Sequence, residues 1–264
     1  MPDQSFNDES KLIVTGDGSH TVYSSRFDQH YHNPKGAVAE SRYVFFEQTG
    51  LPDDLNKHDQ ITILEIGFGT GLSLLLLMDY YLNRNGTAKI DYYSVEGFPL
   101  SSEMAENFNY EQHLNHPELS PVLPSIFDNL SRGMNHFALS KNISLHLFNG
   151  MFEDFKPDEE DAKVNYIFHD AFSPDVNPEL WTGKVFKKIK NFSTDDAILS
   201  TYSASSKAQG ALAWAGWKVT KARGALGKRE MILAALDPDR LEMDNLNRIN
   251  EKRYARRYEE GDFE

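Results

Sequence analysis

Apolar residues along the chain gather into short runs separated by glycine, proline and charged positions. Residues 61–66 read Ile-Thr-Ile-Leu-Glu-Ile, a run with the length and β-branched character of a buried strand. Glycines break it, and residues 72–81 then have the length and leucine content of a helix. Further apolar runs predict strands over residues 90–95, 143–148, 164–168 and 197–202. Helices are expected over 101–113, 178–190 and 205–215 between them. Strands alternating with helices predict an α/β fold on a mostly parallel sheet. Two last runs, 217–221 and 230–236, are joined only by the loop Gly224-Ala225-Leu226-Gly227. That spacing predicts an antiparallel C-terminal hairpin at or near a sheet edge.

Upstream, residues 11–24 pattern as a hairpin about Gly16-Asp17-Gly18, and 37–48 as a helix with Val38, Tyr43 and Phe46 among its core contacts. Two stretches break the rhythm. Residues 115–141, with Pro117, Pro121 and Pro124, are expected to form a helical insertion packed over the sheet. Residues 237–264 are highly charged, carry Arg253, Arg256 and Arg257, and are expected as a peripheral helix or a frayed end. The expected organisation is an N-terminal extension (1–60) packed on a core domain (61–236), followed by the charged tail.

The length, 264 residues with 40% hydrophobic content, allows one large domain with a substantial core. No run of eighteen apolar residues occurs, so no membrane-spanning helix is expected. Residues 1–5 lack the basic-then-apolar pattern of a secretory signal. The absence of cysteine excludes disulfides and thiolate metal sites and fits a cytoplasmic protein; no metal site is expected. The net charge of −13 gives an overall field that repels nucleic acid, so an RNA substrate requires a local basic patch. The acidic run 158–161 reads as a solvated turn.

Candidate chemistry sits at predicted strand ends. Glu65 precedes Gly67, Gly69 and Gly71 in a G-x-G-x-G turn between a strand and a helix. Glycines let backbone adopt positive φ and approach a ligand closely, although the same turn also serves as a plain connection. A dinucleotide fingerprint needs a further glycine where Leu72 stands. Glu96 ends the second strand about 25 residues later, where an acid accepts hydrogen bonds from ribose hydroxyls; a helix-capping acid is the alternative. Asp170 follows the fourth strand and opens "DAFSPDVNPELW". A carboxylate there is placed to receive N–H groups, alone or with the Ala171 and Phe172 backbone, or else to cap a helix or pair with a lysine. Pro174 and Pro178 would stiffen the loop.

"SSRFDQHYHNPKGAVAESRYVF", "GFGTGLSLL", "VEGFPL", "DAFSPDVNPELW" and "GKREMILAAL" occur in this order. Together they resemble the methyltransferase domain of the bacterial bifunctional enzyme that completes 5-methylaminomethyl-2-thiouridine at the tRNA wobble position, over residues 15–236. The resemblance implies a class I S-adenosylmethionine-dependent methyltransferase with a Rossmann-like sheet, in stand-alone form without the oxidase half. It implies methyl transfer to 5-aminomethyl-(2-thio)uridine 34, with tRNA as partner and a separate flavin-dependent oxidase or aminomethyl-forming enzymes as functional partners. Cofactor contacts fall on Glu65, Gly67, Phe68, Gly69, Thr70, Gly71, Glu96, Gly150, Met151 and Asp170. Asp170 and Phe172 fall at the reacting amine and its base, and Tyr31 and Pro174 at the acceptor. Two departures stand out: Gly150-Met151 where the family has Gly-Asp, and Ala208-Gln209-Gly210 where it has a basic pair.

Lys218, Lys221, Arg223, Lys228 and Arg229 lie within a dozen residues and are expected as a phosphate-binding patch, or a solvated loop offsetting the acidic surface. Lys184, Lys187, Lys188 and Lys190 read as the wet face of a helix. His30 and His32 flank Tyr31 as weaker pocket candidates, His169 alternates away from Asp170, and Trp214 and Trp217 read as packing. Two other functions compete: a non-catalytic nucleoside- or RNA-binding module with a decayed site, and a small-molecule N-methyltransferase with residues 115–141 as a lid.

Overall fold

The computed structural model describes residues 10–157, 163–241 and 246–263; the acidic run at 158–161 lies outside them. The chain begins with a small antiparallel sheet of β1 (Lys11–Val14), β2 (His20–Ser24) and β3 (Gln29–His30). At the β1–β2 turn the Asp17 carboxylate accepts from Thr15 Oγ1, Ser19 N and Ser19 Oγ, and also from Ala39 N. That last bond ties the hairpin to α1 (Ala37–Ser41), which widens into a π-helical turn over Arg42–Glu47. The short α2 (Leu51–Asp54) follows.

The main body alternates as the apolar pattern requires. Its first half runs β4 (Gln60–Ile66), α3 (Leu72–Asn83), β5 (Lys89–Glu96), α4 (Ser102–Glu106), α5 (Val122–Asp128), β6 (Gly133–Ala138) and β7 (Ile143–Asn149). Then come β8 (Val164–His169), α6 (Gly183–Phe192), β9 (Ser193–Thr201), α7 (Ser206–Trp214), β10 (Lys218–Ala222), β11 (Met231–Ala235), β12 (Asn247–Arg248) and α8 (Glu251–Glu259). The strands form one sheet in the order β12-β10-β11-β9-β8-β4-β5-β7-β6. The β4–β5, β4–β8, β5–β7 and β8–β9 pairings are parallel. The hairpin β10–β11 runs antiparallel and joins β9 through β11.

Strand periodicity splits the core in two. Ile63, Tyr92, Tyr166 and Phe168 face one side, against α1, α3 and α5. Leu64, Tyr93, Ile167 and Leu199 face the other, against α6 and α7. Helix α3 is buried nearly all round, with Leu72 and Leu74 to Leu77 at most 1% exposed. Its buried Asp79 accepts from Arg42 Nη2, Asn115 Nδ2 and His116 N, so the charge is compensated. Strand order reverses at β4: β5 lies on one side and β8 on the other. The carboxyl ends of these strands therefore border the crevice where ligands of such sheets bind.

Two expectations need correction. The helix expected over 101–113 stops at Glu106 and resumes only as a 3-10 turn at Tyr110–His113. Residues 115–141 hold a 3-10 turn (Pro117–Leu119) and α5, but then β6, which joins the sheet edge antiparallel to β7 instead of lying over the sheet. Its sequence, Gly-Met-Asn-His-Phe-Ala, has no apolar run, because an edge strand needs one partner and little burial. Of the two readings of the tail, its described residues take the peripheral helix: α8 lies along α7, and Phe263 and Tyr258 cover Gly210, where a Cβ would meet Phe263 at 2.7 Å.

Candidate active site

The turn after β4 is built on positive φ. Gly67, Gly69 and Gly71 have φ of 95°, 54° and 77°, in the region L-residues with side chains avoid. At Gly67 the constraint is doubled, because a Cβ would lie 2.8 Å from the Asp170 carbonyl oxygen. Gly67 therefore brings the ends of β4 and β8 together, and the Asp170 amide donates to Ile66 O at 3.0 Å. Phe68 lines the cleft and packs on Phe127. Thr70 is not part of the lining; its hydroxyl accepts from the Tyr110 hydroxyl at 3.0 Å.

Two buried acids stand under this turn. Glu65 is 1% exposed and accepts from Ser94 Oγ at 2.8 Å; burial pushes its carboxyl up to about 8. Glu96, at the end of β5, accepts from Gly69 N at 2.9 Å and Phe98 N at 2.8 Å. Burial raises its proton affinity and the backbone donors oppose the rise. Glu96 is therefore fixed at the lip of the glycine turn.

Asp170 lines the same cleft. Its backbone is pinned, but among the described residues no donor is within hydrogen-bonding distance of its carboxylate. Burial drives its proton affinity well above that of an ordinary carboxyl, Glu65 and Glu40 add to the rise, and Lys228 opposes it. The carbonyls of the next two residues are engaged: Ala171 O accepts from the Tyr202 hydroxyl at 2.9 Å, and Phe172 O from Trp181 Nε1 at 2.7 Å. The Asp170 carboxylate is thus the unpartnered acceptor of this turn. Ser173 donates through N and Oγ to Gln29 Oε1, holding the loop to β3. Pro174 sits in that loop outside the cleft lining. His169 points the other way; its Nε2 faces Leu180 O at 3.0 Å, and burial lowers it to about 4, so it stays neutral.

The Phe172 ring meets Phe27 at 4.7 Å and Tyr31 at 5.0 Å between centroids, and Phe27 meets Phe98 at 5.4 Å. Arg26 lies over Phe98 at 3.8 Å. These aromatics wall a cleft whose far side is Gly150, Met151 and Phe152. Gly150 N donates to Glu96 O at 2.9 Å. Met151, 41% exposed, lays its sulfur beside Gly97, where a Cβ would be 3.1 Å away. Lys188 is not simply on a wet helix face: its ammonium donates to Phe152 O (2.7 Å) and Glu153 O (2.9 Å) and braces this wall.

The five cations of the C-terminal hairpin do not form one free patch. Lys221 pairs with Glu230 at 3.1 Å and Lys228 with Glu40 at 2.7 Å. Arg223 and Arg229 are exposed, and Lys218 is partly so. Lys228 instead lines a second hollow with Glu40, Tyr202, His30, Tyr31 and His32, sharing Tyr31 and His32 with the main cleft. Phe27, Phe98, Tyr202 and Glu40 were not singled out in the sequence, where Lys188 reads only as part of a wet helix face. Only Phe98 carried a local signal, two residues past Glu96.

The donor set fits a nucleoside-bearing cation: a glycine cradle, a fixed acid at the second strand end, and further carboxyls facing the cleft. Among the described residues no group of three His, Asp or Glu side chains is arranged to hold a metal ion, and no helix is long and apolar enough to cross a membrane.

Comparison with known proteins agrees with this geometry. Residues 117–237 match the family model described as S-adenosyl-L-methionine-dependent methyltransferase. The tRNA 5-methylaminomethyl-2-thiouridine biosynthesis bifunctional protein MnmC of Leptospira borgpetersenii is 35% identical over 217 residues, 80% of this chain and 33% of that protein. MnmC of Campylobacter hominis is 32% identical over 217 residues, 81% of this chain and 31% of that protein. The chain thus spans about a third of the length of the curated relatives it matches. The crystal structure of MNMC2 from Aquifex aeolicus superposes with a TM-score of 0.73 at 25% identity, covering 96% of this chain and 77% of that one. By the model matched over residues 117–237, by these relatives and by fold, the chain is similar to S-adenosyl-L-methionine-dependent methyltransferases and to the MnmC proteins.

Proposed function

We propose that the chain methylates the primary amine of 5-aminomethyl-(2-thio)uridine at wobble position 34 of tRNA, giving the 5-methylaminomethyl nucleoside. The observation that carries this reading is Asp170: an unpartnered carboxylate on the cleft that also holds Glu96 and the glycine turn. The names of the MnmC relatives support the nucleoside and the tRNA.

S-adenosylmethionine, when bound, supplies an electrophilic methyl group on a sulfonium. Gly67, Gly69 and Gly71 give it room, with Phe68 as a wall and Thr70 as a support of the turn. Glu96 receives its ribose hydroxyls, Glu65, held by Ser94, supports the turn from below, and Gly150 and Met151 close the far side. The acceptor amine is largely protonated near neutrality and must lose a proton before or during attack. Asp170 accepts that proton and orients the nitrogen. A carboxyl whose proton affinity is raised by burial holds an abstracted proton better than a solvated aspartate does. Phe172, Tyr31 and Phe27 exclude water and offer ring faces to a base. Arg223 and Arg229 contact phosphates, with Pro174 stiffening the loop between site and RNA.

The acceptor amine must be made beforehand, so a flavin-dependent oxidase or another aminomethyl-forming activity precedes this step, in the cytoplasm. The test is mass spectrometry of wobble nucleosides after purified protein and S-adenosylmethionine meet tRNA bearing 5-aminomethyl-2-thiouridine. A gain of one methyl on that nucleoside is expected. An unchanged nucleoside, with cofactor binding intact, would refute the reading.

A further inference from the structure

Lys228 belongs by sequence to a basic loop, yet the fold turns it inward. The loop folds tightly on itself: Lys228 N donates to Ala225 O at 2.8 Å, and a Cβ on Gly224 would sit 2.7 Å from the Lys228 Cβ. The ammonium then meets Glu40 Oε1 at 2.7 Å and lies 4.9 Å from the centre of the Tyr202 ring. Glu40 is 7% exposed and is fixed by Asn33, which donates through N at 3.0 Å and Nδ2 at 3.2 Å. Tyr202 in turn holds Ala171 O, the carbonyl next to Asp170.

We propose that Glu40 and Lys228 are a positioning pair for the methyl-transfer site, an ion pair whose lysine lies over the ring of Tyr202, the residue that holds the carbonyl next to Asp170, and which thereby governs how Asp170 engages the acceptor amine. This rests on the role of Asp170 given above.

A pair this close leaves little net field at long range, but each member alone acts strongly on a third charge in a partly desolvated site. The groups that face Asp170 are few. Glu65 and Tyr92 approach from β4 and β5, Glu40 from α1, Lys228 from the loop before β11, and Tyr202 follows β9. Tyr31 and His32 stand between the two hollows, and burial keeps His32 neutral, at about 4. Glu40 raises the proton affinity of Asp170 and Lys228 lowers it. A lysine committed to an RNA phosphate would gain nothing from a buried acid partner.

Opposite charges give the test its sign. The pH dependence of kcat/KM for tRNA, followed from pH 5.5 to 9, is compared in wild type, Glu40→Gln, Lys228→Met and the double variant. Glu40→Gln is expected to move the acid limb down by about 0.5 pH unit or more, and Lys228→Met to move it up by a similar amount. The double variant is expected to return near wild type, because the couple is removed together. Calorimetric affinity for S-adenosylmethionine should stay within about twofold throughout. The same opposite displacements should appear without turnover, in a ¹³C NMR titration of the Asp170 carboxyl assigned with Asp170→Asn. Single variants that share the wild-type midpoint, or move it in the same direction, would overturn the proposal. So would a Lys228→Met effect confined to KM for tRNA, which returns Lys228 to phosphate binding. Wild-type protein without turnover would count against the proposed function, while the NMR titration would still decide this inference.

Discussion

Replacing Glu65 by glutamine should make the protein more stable at alkaline pH, with a magnitude that follows from one buried carboxyl. Glu65 is 1% exposed, and burial raises it from 4.5 to about 8. In the unfolded chain it ionises near its ordinary value, while the native protein keeps its proton until about pH 8. The stability associated with the protonated native form is complete below pH 4.5 and is lost as pH rises toward 8. The full interval corresponds to about 5 kcal/mol. Glutamine has the same shape, can still accept from Ser94, and carries no titrating proton. Measured against Glu65→Gln, the wild type should therefore lose ground steadily from pH 5 to 8.5. With about 2–4 °C per kcal/mol for a chain of this size, the gap between melting temperatures should widen by roughly 10 °C. Differential scanning calorimetry of both proteins across this range is the assay. Parallel melting curves from pH 5 to 8.5 would show that Glu65 is ionised in the native state and that the reasoning is wrong.

Other outcomes test the walls of the cleft. Gly67→Ala forces a side chain into φ 95° and against Asp170 O; it should cost about 2 kcal/mol or more and weaken S-adenosylmethionine binding at least about tenfold by calorimetry. Lys188→Met removes the donor to Phe152 O and Glu153 O. It should raise KM for S-adenosylmethionine by roughly three- to tenfold, about 1 kcal/mol, with kcat held.

The parts of the site that were legible in the sequence are those whose signal is local. The glycine turn, Glu96 and Asp170 follow strongly apolar runs, and a strand that is buried on both faces announces its own end. Where burial is slight or the pairing distant, the signal fades. β6 has one partner and alternates weakly. The π turn at Arg42–Glu47 keeps a helical apolar pattern while changing its winding. Lys228 and Glu40 are 188 residues apart, so the loop that carries Lys228 reads as a surface patch until the fold brings α1 beside it. The aromatic wall of Phe27, Tyr31, Phe98 and Phe172 is assembled from the segments after β2, β3, β5 and β8. The backbone of Ala171 and Phe172, read as a source of acceptors, is taken by Tyr202 and Trp181, partners that sequence spacing alone does not reveal.

The central claim is that Asp170 receives the proton of an amine held beside the methyl donor. Its most direct test is single-turnover transfer of labelled methyl from S-adenosylmethionine to tRNA bearing 5-aminomethyl-2-thiouridine, in wild type and Asp170→Asn. The account predicts a loss on the order of 100-fold or more in the transfer rate for Asp170→Asn, with cofactor affinity kept within about threefold. Transfer by Asp170→Asn at a rate within about threefold of wild type would contradict it.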